Sequence, residues 1–209
     1  MKTTILLIRH GETLWNAAGK FQGCTDIALS ERGIEQAKLL KKRLNGEFDA
    51  VYASPLKRAY KTAQILAEDT SKEVIIEPNI KEINFGNWEG LSIKEIENEY
   101  NEDFNIWRKD KEEARFGSGE ISIKNASLRA SACVRKIAED NKGKTVVIVA
   151  HGGVIKAALI NLFEWNMNMY HRIGLGNTCV TKIYFDDNFD AHLVYLNDTN
   201  HLKEEATIV

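Results

Sequence analysis

Ile5-Leu6-Leu7-Ile8-Arg9-His10-Gly11-Glu12 starts as an apolar run and ends on a cation, an imidazole and a glycine. Four branched residues in a row, with no polar alternation, read as a short strand buried on both faces. The pattern returns at Val146-Val147-Ile148-Val149-Ala150-His151-Gly152-Gly153. A third version, Ala50-Val51-Tyr52-Ala53-Ser54-Pro55-Leu56-Lys57-Arg58, carries arginine instead of histidine. Each run leads toward a helical pattern, so each polar cluster falls at the carboxyl end of a strand. In open α/β sheets that end is where ligands bind. Gly11 is expected to let the chain turn and bring backbone N–H groups near a ligand. Gly152 and Gly153 are expected to offer free N–H groups and the positive end of a helix dipole to an anion. If the first and last of these strands are neighbours, both imidazoles point into one crevice.

Working outward, Val74–Ile76 gives another strand. Two more, around Cys179–Phe185 and Ala191–Leu196, are joined by the turn residues Asp186-Asp187-Asn188. Ser30 caps a helix carrying Ile34, Ala37, Leu40 and Leu44, which Gly46 stops. Ser54 and Pro55 read as N-cap and first position of a helix through Leu66. Ser92 with Glu95 fits a capping box. Further helices are expected over 126–140 and after Gly153. Strands alternating with helices predict an α/β three-layer sandwich, with a mainly parallel central sheet and helices on both faces. Residues 82–122 break the rhythm with charge, aromatics and glycine, and are expected to form a small lid insertion within a single 1–209 domain.

With 28 Lys+Arg against 30 Asp+Glu, net charge is −2, so no basic excess exists for general nucleic-acid binding. An anion must be held by a local cluster of cations. No segment has the apolar length of a membrane span, and the N-terminal run is too short for a signal core. The three cysteines are spread too widely for a disulfide framework or a metal spacing. A cytoplasmic protein with no cofactor and no metal is expected, and the sequence leaves monomer or dimer open. Gly143-Lys144-Thr145 mimics the end of a phosphate loop, but Ala138 stands where a glycine is needed and a strand follows, not a helix. His171, His192 and His201 show no metal spacing and read as structural. Trp88, Phe104, Trp107 and Phe116 read as lid packing, with one or two at the pocket mouth.

Taken in order, several segments resemble the histidine phosphatase superfamily, also called phosphoglycerate mutase-like. They are Arg9-His10-Gly11-Glu12-Thr13 with Trp15-Asn16, Phe21-Gln22-Gly23, Ser54-Pro55-Leu56-Lys57-Arg58-Ala59, Glu82 with Phe85-Gly86-Asn87-Trp88-Glu89-Gly90, Ala150-His151-Gly152-Gly153, and Asn197-Asp198-Thr199-Asn200-His201-Leu202. The resemblance implies that His10 is a nucleophile that becomes phosphorylated. It implies that Arg9, Arg58 and His151 hold the phosphoryl oxygens with help from Asn16, and that Glu82 protonates the leaving oxygen. Gln22, Gly23 and Gly152 would lie along the substrate. Among branches, the Gly-Val-Ile after His151 and the Phe85–Gly90 segment look like phosphatases, including α-ribazole and broad-specificity phosphatases. The alternative is a phosphoglycerate mutase using the same phosphohistidine. The expected partner is a small phosphorylated metabolite. One departure is Ile121, which separates Glu120 from Ser122 and puts any contact of Glu120 with substrate in doubt. Another is Lys156, where arginine is common.

These residue types suit the chemistry. Phosphoryl transfer spreads charge over three equatorial oxygens, and planar guanidinium forks match them. A neutral imidazole can attack phosphorus, and a carboxyl group under an apolar lid can supply the leaving group's proton.

Overall fold

The computed structural model describes residues 2–116, 118–120 and 122–202. Ile121 therefore lies outside the described residues. Along the chain run β1 (Thr3–Arg9), α1 (Leu14–Ala17), α2 (Glu31–Leu44), β2 (Ala50–Ala53), α3 (Lys57–Ala67), β3 (Val74–Ile76), α4 (Ile93–Glu99), α5 (Asn101–Lys109), α6 (Ile123–Asp140), β4 (Thr145–Ala150), α7 (Gly152–Leu162), β5 (Val180–Phe185) and β6 (Ala191–Asp198). The strands form one sheet in the order β3-β2-β4-β1-β5-β6. The first four are parallel, β5 runs antiparallel to β1, and β6 runs antiparallel to β5. This is the α/β architecture expected.

β1 is buried on both sides, which explains its unbroken apolar run. Ile5 and Leu7 point into one core with Val134 and Ile137 of α6 and Val154, Ala158 and Leu159 of α7. Leu6 and Ile8 point into the other with Leu40 of α2 and Ala59, Ala63 and Leu66 of α3. Alternate residues of one strand thus glue two helical layers to the sheet. Because β1 is also paired on both edges, its carboxyl end opens at the middle of the molecule.

Local signals explain most boundaries. Ser30 accepts the Gly33 N–H at 3.0 Å, and Asn45 closes α2 in the left-handed conformation (φ 48°). Ser92 and Glu95 form the capping box of α4. Helix α6 begins three residues before the expected start, because Ser122 caps it by accepting from Asn125 N–H. The expectation for Ser54-Pro55 is corrected. Helix α3 starts at Lys57, with Leu56 as an N-cap that makes no side-chain bond. Ser54 instead ends β2, its N–H on Val149 O, and its hydroxyl is taken by a histidine described below.

Residues 82–116 and 118–120 pass over one end of the sheet. Trp88, Phe104, Trp107 and Phe116 cluster with Ile83 and Ile96 and rest on Ala157 and Ile160 of α7. Trp88 meets Trp107 edge-on, with ring centroids 5.4 Å apart. Among the described residues, no helix is long and apolar enough to cross a membrane.

Two glycines fix how the β1 loop meets α2. A Cβ on Gly11 would lie 2.4 Å from Gly33 O, and a Cβ on Gly33 would lie 2.0 Å from Glu12 O. The need is close backbone approach, not a turn at positive φ. The Gly11 N–H goes to Thr62 Oγ1 at 3.1 Å, so it does not face a ligand as the sequence suggested. We expect Gly33→Ala to force the loop and helix apart, at an overpacking cost of about 1–3 kcal/mol. Thermal unfolding should then show a melting temperature lower by about 5 °C. A variant as stable as the parent would mean that this approach does not constrain the loop.

Candidate active site

β1 and β4 are in register with Arg9 opposite Ala150, so the next residues, His10 and His151, leave the sheet side by side. The His10 N–H still donates to Ala150 O at 3.0 Å. The two imidazole centroids are 5.1 Å apart. His10 lines a cleft of about 340 Å³, together with Arg9, Arg58, Glu82 and Gly152. His151 is wholly buried and lies against His10.

The hydrogen bonds of His10 set its tautomer. Its Nδ1 lies 2.6 Å from Gly11 O, an acceptor, so Nδ1 carries the proton. Its Nε2 receives the Arg58 Nε–H at 3.3 Å, so Nε2 presents a lone pair. Burial, then Arg58 and Arg9, hold the His10 pKa well below the ordinary imidazole value, against a small opposing pull from the Gly11 carbonyl. Near neutral pH the ring is an uncharged base with its free nitrogen beside a guanidinium.

Arg58 sits in the first turn of α3, the end of a helix that repels cations. It is fully buried, and carbonyls compensate: Nη1–H donates to Thr25 O at 2.8 Å and Nη2–H to Gly23 O at 2.7 Å. Gly23 has φ +50°, and a Cβ there would lie 2.0 Å from Glu89 Oε1. Glu89 in turn gathers the N–H groups of Cys24, Thr25 and Phe85. Arg9 donates from Nη1 to Leu175 O, while its buried Nε makes no hydrogen bond among the described residues. His151 Nε2 is 2.7 Å from Ser54 Oγ, and its buried Nδ1 is likewise unpartnered. Orphaned buried nitrogens are rare and costly unless something completes them. Burial, then Arg58, His10 and Arg9, hold His151 uncharged near neutral pH.

Glu82 reaches the cleft from the other side. Its Oε2 accepts Gly153 N–H at 3.0 Å, and its Oε1 accepts Val154 N–H at 2.8 Å. A Cβ on Gly153 would lie 2.8 Å from Glu82 Oε1, so glycine is what lets the carboxylate settle on the end of α7. The sequence reading is corrected here: the Gly153 N–H is not free for a substrate anion, because Glu82 occupies it. Gly152 packs instead against the Arg9 side chain.

Asn16 and Gln22 also line the cleft. Asn16 is the third residue of α1, in a capping box with Thr13. Its Oδ1 accepts from Thr13 N–H and Asn177 Nδ2, both at 3.2 Å, which leaves its amide NH2 as the group it can offer. Gln22 Oε1 accepts from Thr13 Oγ1 at 2.9 Å and keeps its own NH2. All nine residues singled out from the sequence thus gather at one place.

Others were missed. Asn177 donates to His10 O at 3.1 Å, and Thr178 N–H to Arg9 O at 3.0 Å, steadying the end of β1. Ser54 had a signal, but it was read as a helix cap. His171, read as structural, lines the cleft and hydrogen-bonds Trp107 O through Nε2 at 2.9 Å. His192 pairs with Asp186, and His201 with Thr178 and Arg43. Glu120 binds Arg129, which also holds Asn79 O and Lys81 O, so it braces the chain before Glu82 and is not on the cleft wall. Of Trp88, Phe104, Trp107 and Phe116, only Trp107 lines the cleft, and Phe85 joins it there from the same segment.

Known proteins resemble this chain in sequence and in shape. Residues 5–199 match the histidine phosphatase superfamily (branch 1). Phosphoserine phosphatase 1 of Hydrogenobacter thermophilus is 35% identical over 201 residues, spanning 96% of this chain and 94% of that protein. A phosphoserine phosphatase from Entamoeba histolytica, solved with 3-phosphoglyceric acid, superposes with a TM-score of 0.89 at 39% identity, covering 95% of this chain and 98% of the other. An α-ribazole phosphatase from Shigella flexneri superposes with a TM-score of 0.81 at 29% identity, covering 94% and 96%. The chain belongs to the histidine phosphatase superfamily.

Proposed function

We propose that this protein is a metal-independent phosphatase of small phosphomonoesters that works through a phosphohistidine on His10. The observation that carries the reading is the His10 Nε2 lone pair, on an uncharged ring framed by Arg58 and Arg9 in the cleft. The phosphatase names of the relatives support the same reaction class.

In the first step His10 Nε2 attacks phosphorus, and the bond from phosphorus to the ester oxygen breaks. Arg9, Arg58 and His151 hold the three equatorial oxygens, with the unpartnered Arg9 Nε and His151 Nδ1 as donors, and the Asn16 amide assists. Ser54 O–H donating to His151 Nε2 would leave the proton on Nδ1, where an oxyanion needs it. Glu82 passes a proton to the leaving oxygen. In the second step water attacks the phosphohistidine, Glu82 takes the water's proton, and the N–P bond breaks. Gln22 and Gly23 flank the alcohol portion, and Gly152 lies beside the phosphoryl group. Residues 82–122 serve as the lid that keeps bulk water out, and the work is cytoplasmic.

His10→Ala should reduce turnover about a thousandfold or more. It should also abolish the acid-labile ³²P label that the parent acquires on brief exposure to a labelled monoester, and parent activity should persist in EDTA. Activity that vanishes with EDTA, or a label on the alanine variant, would contradict the proposal. Efficient isomerisation of phosphoglycerates with negligible release of inorganic phosphate would instead mark a mutase.

Glu82→Gln should cost about a hundredfold with an alkyl phosphate, whose leaving oxygen needs the proton, and under tenfold with p-nitrophenyl phosphate. Equal losses on both substrates would remove the acid role.

The depressed His10 and His151 pKa values predict that neither ring gains a proton as pH falls from 8 to 6. ¹⁵N NMR of the imidazoles should show the Nδ1–H, Nε2-lone-pair tautomer of His10 throughout that range. A midpoint near 6.5 for His10 would overturn the geometry argued above.

A further inference from the structure

The cleft holds more positive charge than one phosphoryl group uses. Arg9, Lys20, Arg58, Arg108, Lys156 and Arg172 line it, against the single carboxylate of Glu82. The chain as a whole carries a net charge of −2, so this excess is local. Arg9 and Arg58 lie at the floor beside His10. The other four sit elsewhere on the wall; Arg108 and Arg172 are exposed, and Lys156 is set apart by its position on α7 and its desolvation.

Lys156 is on α7, three residues beyond Gly153 and four beyond Gly152, so it stands on the same helix face one turn along. Among the described residues its ammonium has no hydrogen-bond or ion-pair partner, and its neighbour is the Tyr170 ring, 5.1 Å away. A largely desolvated ammonium normally finds an anion or changes its charge state. The groups facing it are Arg9 from β1, Glu82, Arg108 from α5, and Tyr170 and His171 from the turn at Met167–His171. Only Glu82 among these is acidic, and its oxygens are already bound to the end of α7.

Resting on the phosphatase reading above, we infer that Lys156 is a specificity-determining residue whose ammonium binds a carboxylate of the substrate, so that phosphorylated carboxylic acids are favoured over phosphorylated alcohols. With the phosphoryl group on Arg9 and Arg58, the same cleft presents Lys156 to a carboxylate carried on a short chain from the ester oxygen. Burial, then Arg9, pull Lys156 down to about 8, with Glu82 opposing and Arg108 adding to the pull. The ammonium is charged below that pH and loses its proton above it. The preference for a carboxylate is therefore full near pH 6.5 and fades above about pH 8.

The test uses two matched pairs, phosphoserine with phosphoethanolamine and 3-phosphoglycerate with glycerol 3-phosphate, each pair differing in the carboxylate. The readout is the ratio of kcat/KM within each pair for the parent, Lys156→Met and Lys156→Arg. Lys156→Met should lower both ratios about tenfold, mainly through KM. Lys156→Arg should restore them and abolish the decline above pH 8, since a guanidinium stays charged. Ratios within twofold of the parent in Lys156→Met, or equal loss on both members of a pair, would overturn the assignment. If the parent hydrolyses none of the four compounds, the phosphatase reading fails by itself. Calorimetric binding of the same pairs to His10→Ala, with and without Lys156→Met, then still reads the carboxylate preference.

Discussion

A buried guanidinium at the wrong end of a helix is the constraint on which this site is built. Arg58 is dry and stands in the first turn of α3, where the helix dipole opposes it. Two carbonyls and the lone pair of His10 compensate. Those carbonyls belong to a loop that Glu89 ties down through backbone N–H groups, and Gly23 is needed so that Glu89 can come close enough. One misplaced cation thus dictates a loop conformation, a glycine, a remote carboxylate and the tautomer of the neighbouring imidazole. Such a site is organised before substrate arrives, which is what electrostatic stabilisation of a phosphoryl transition state requires.

The same economy governs the histidines. A charged imidazole between Arg9 and Arg58 would face two like charges in a dry place, so both rings stay neutral. Neutrality is useful at His10, because a protonated ring has no lone pair with which to attack phosphorus. At His151 it leaves a polar nitrogen without a partner next to the equally unpartnered Arg9 Nε. These two donors are the strain that an anion would relieve, and they adjoin the end of β1, where Asn177 and Thr178 steady the backbone.

The sheet was legible because burial on both faces leaves a plain mark, an apolar run without alternation, and β1, β2 and β4 all carry it. The gathering of Arg9, His10 and His151 was legible because each closes such a run, and that of Arg58 because it opens the helix after one. What escaped the sequence is partner choice. Ser54 before Pro55 is the pattern of a helix cap, but its hydroxyl is drawn to His151 from a strand 97 residues away in sequence. Gly11 looked like a turn, whereas the contact that requires it is the backbone of Gly33. Gly153 looked like an open anion site, whereas Glu82 from the opposite wall fills it. Residue type and spacing reveal what a group can do locally. They do not reveal which distant group claims it, since that is settled by packing.

Helix α7 joins these strands of argument, because successive residues along one face meet successive parts of a ligand. Gly152 lies against Arg9, where the phosphoryl group would be. The N–H groups of Gly153 and Val154 hold Glu82, where the leaving oxygen would take its proton. Lys156 follows one turn later, facing Tyr170. A rigid helix keeps these three points at fixed separations. A substrate gripped at both ends is then held with its ester oxygen at the height of Glu82, so binding at the outer end contributes to alignment as well as to affinity. A longer or shorter acid could satisfy the phosphoryl floor or the ammonium, but not both with the ester oxygen opposite the proton. On the proposed reading, selectivity for chain length would follow from helix geometry, and selectivity for charge from the single side chain at position 156.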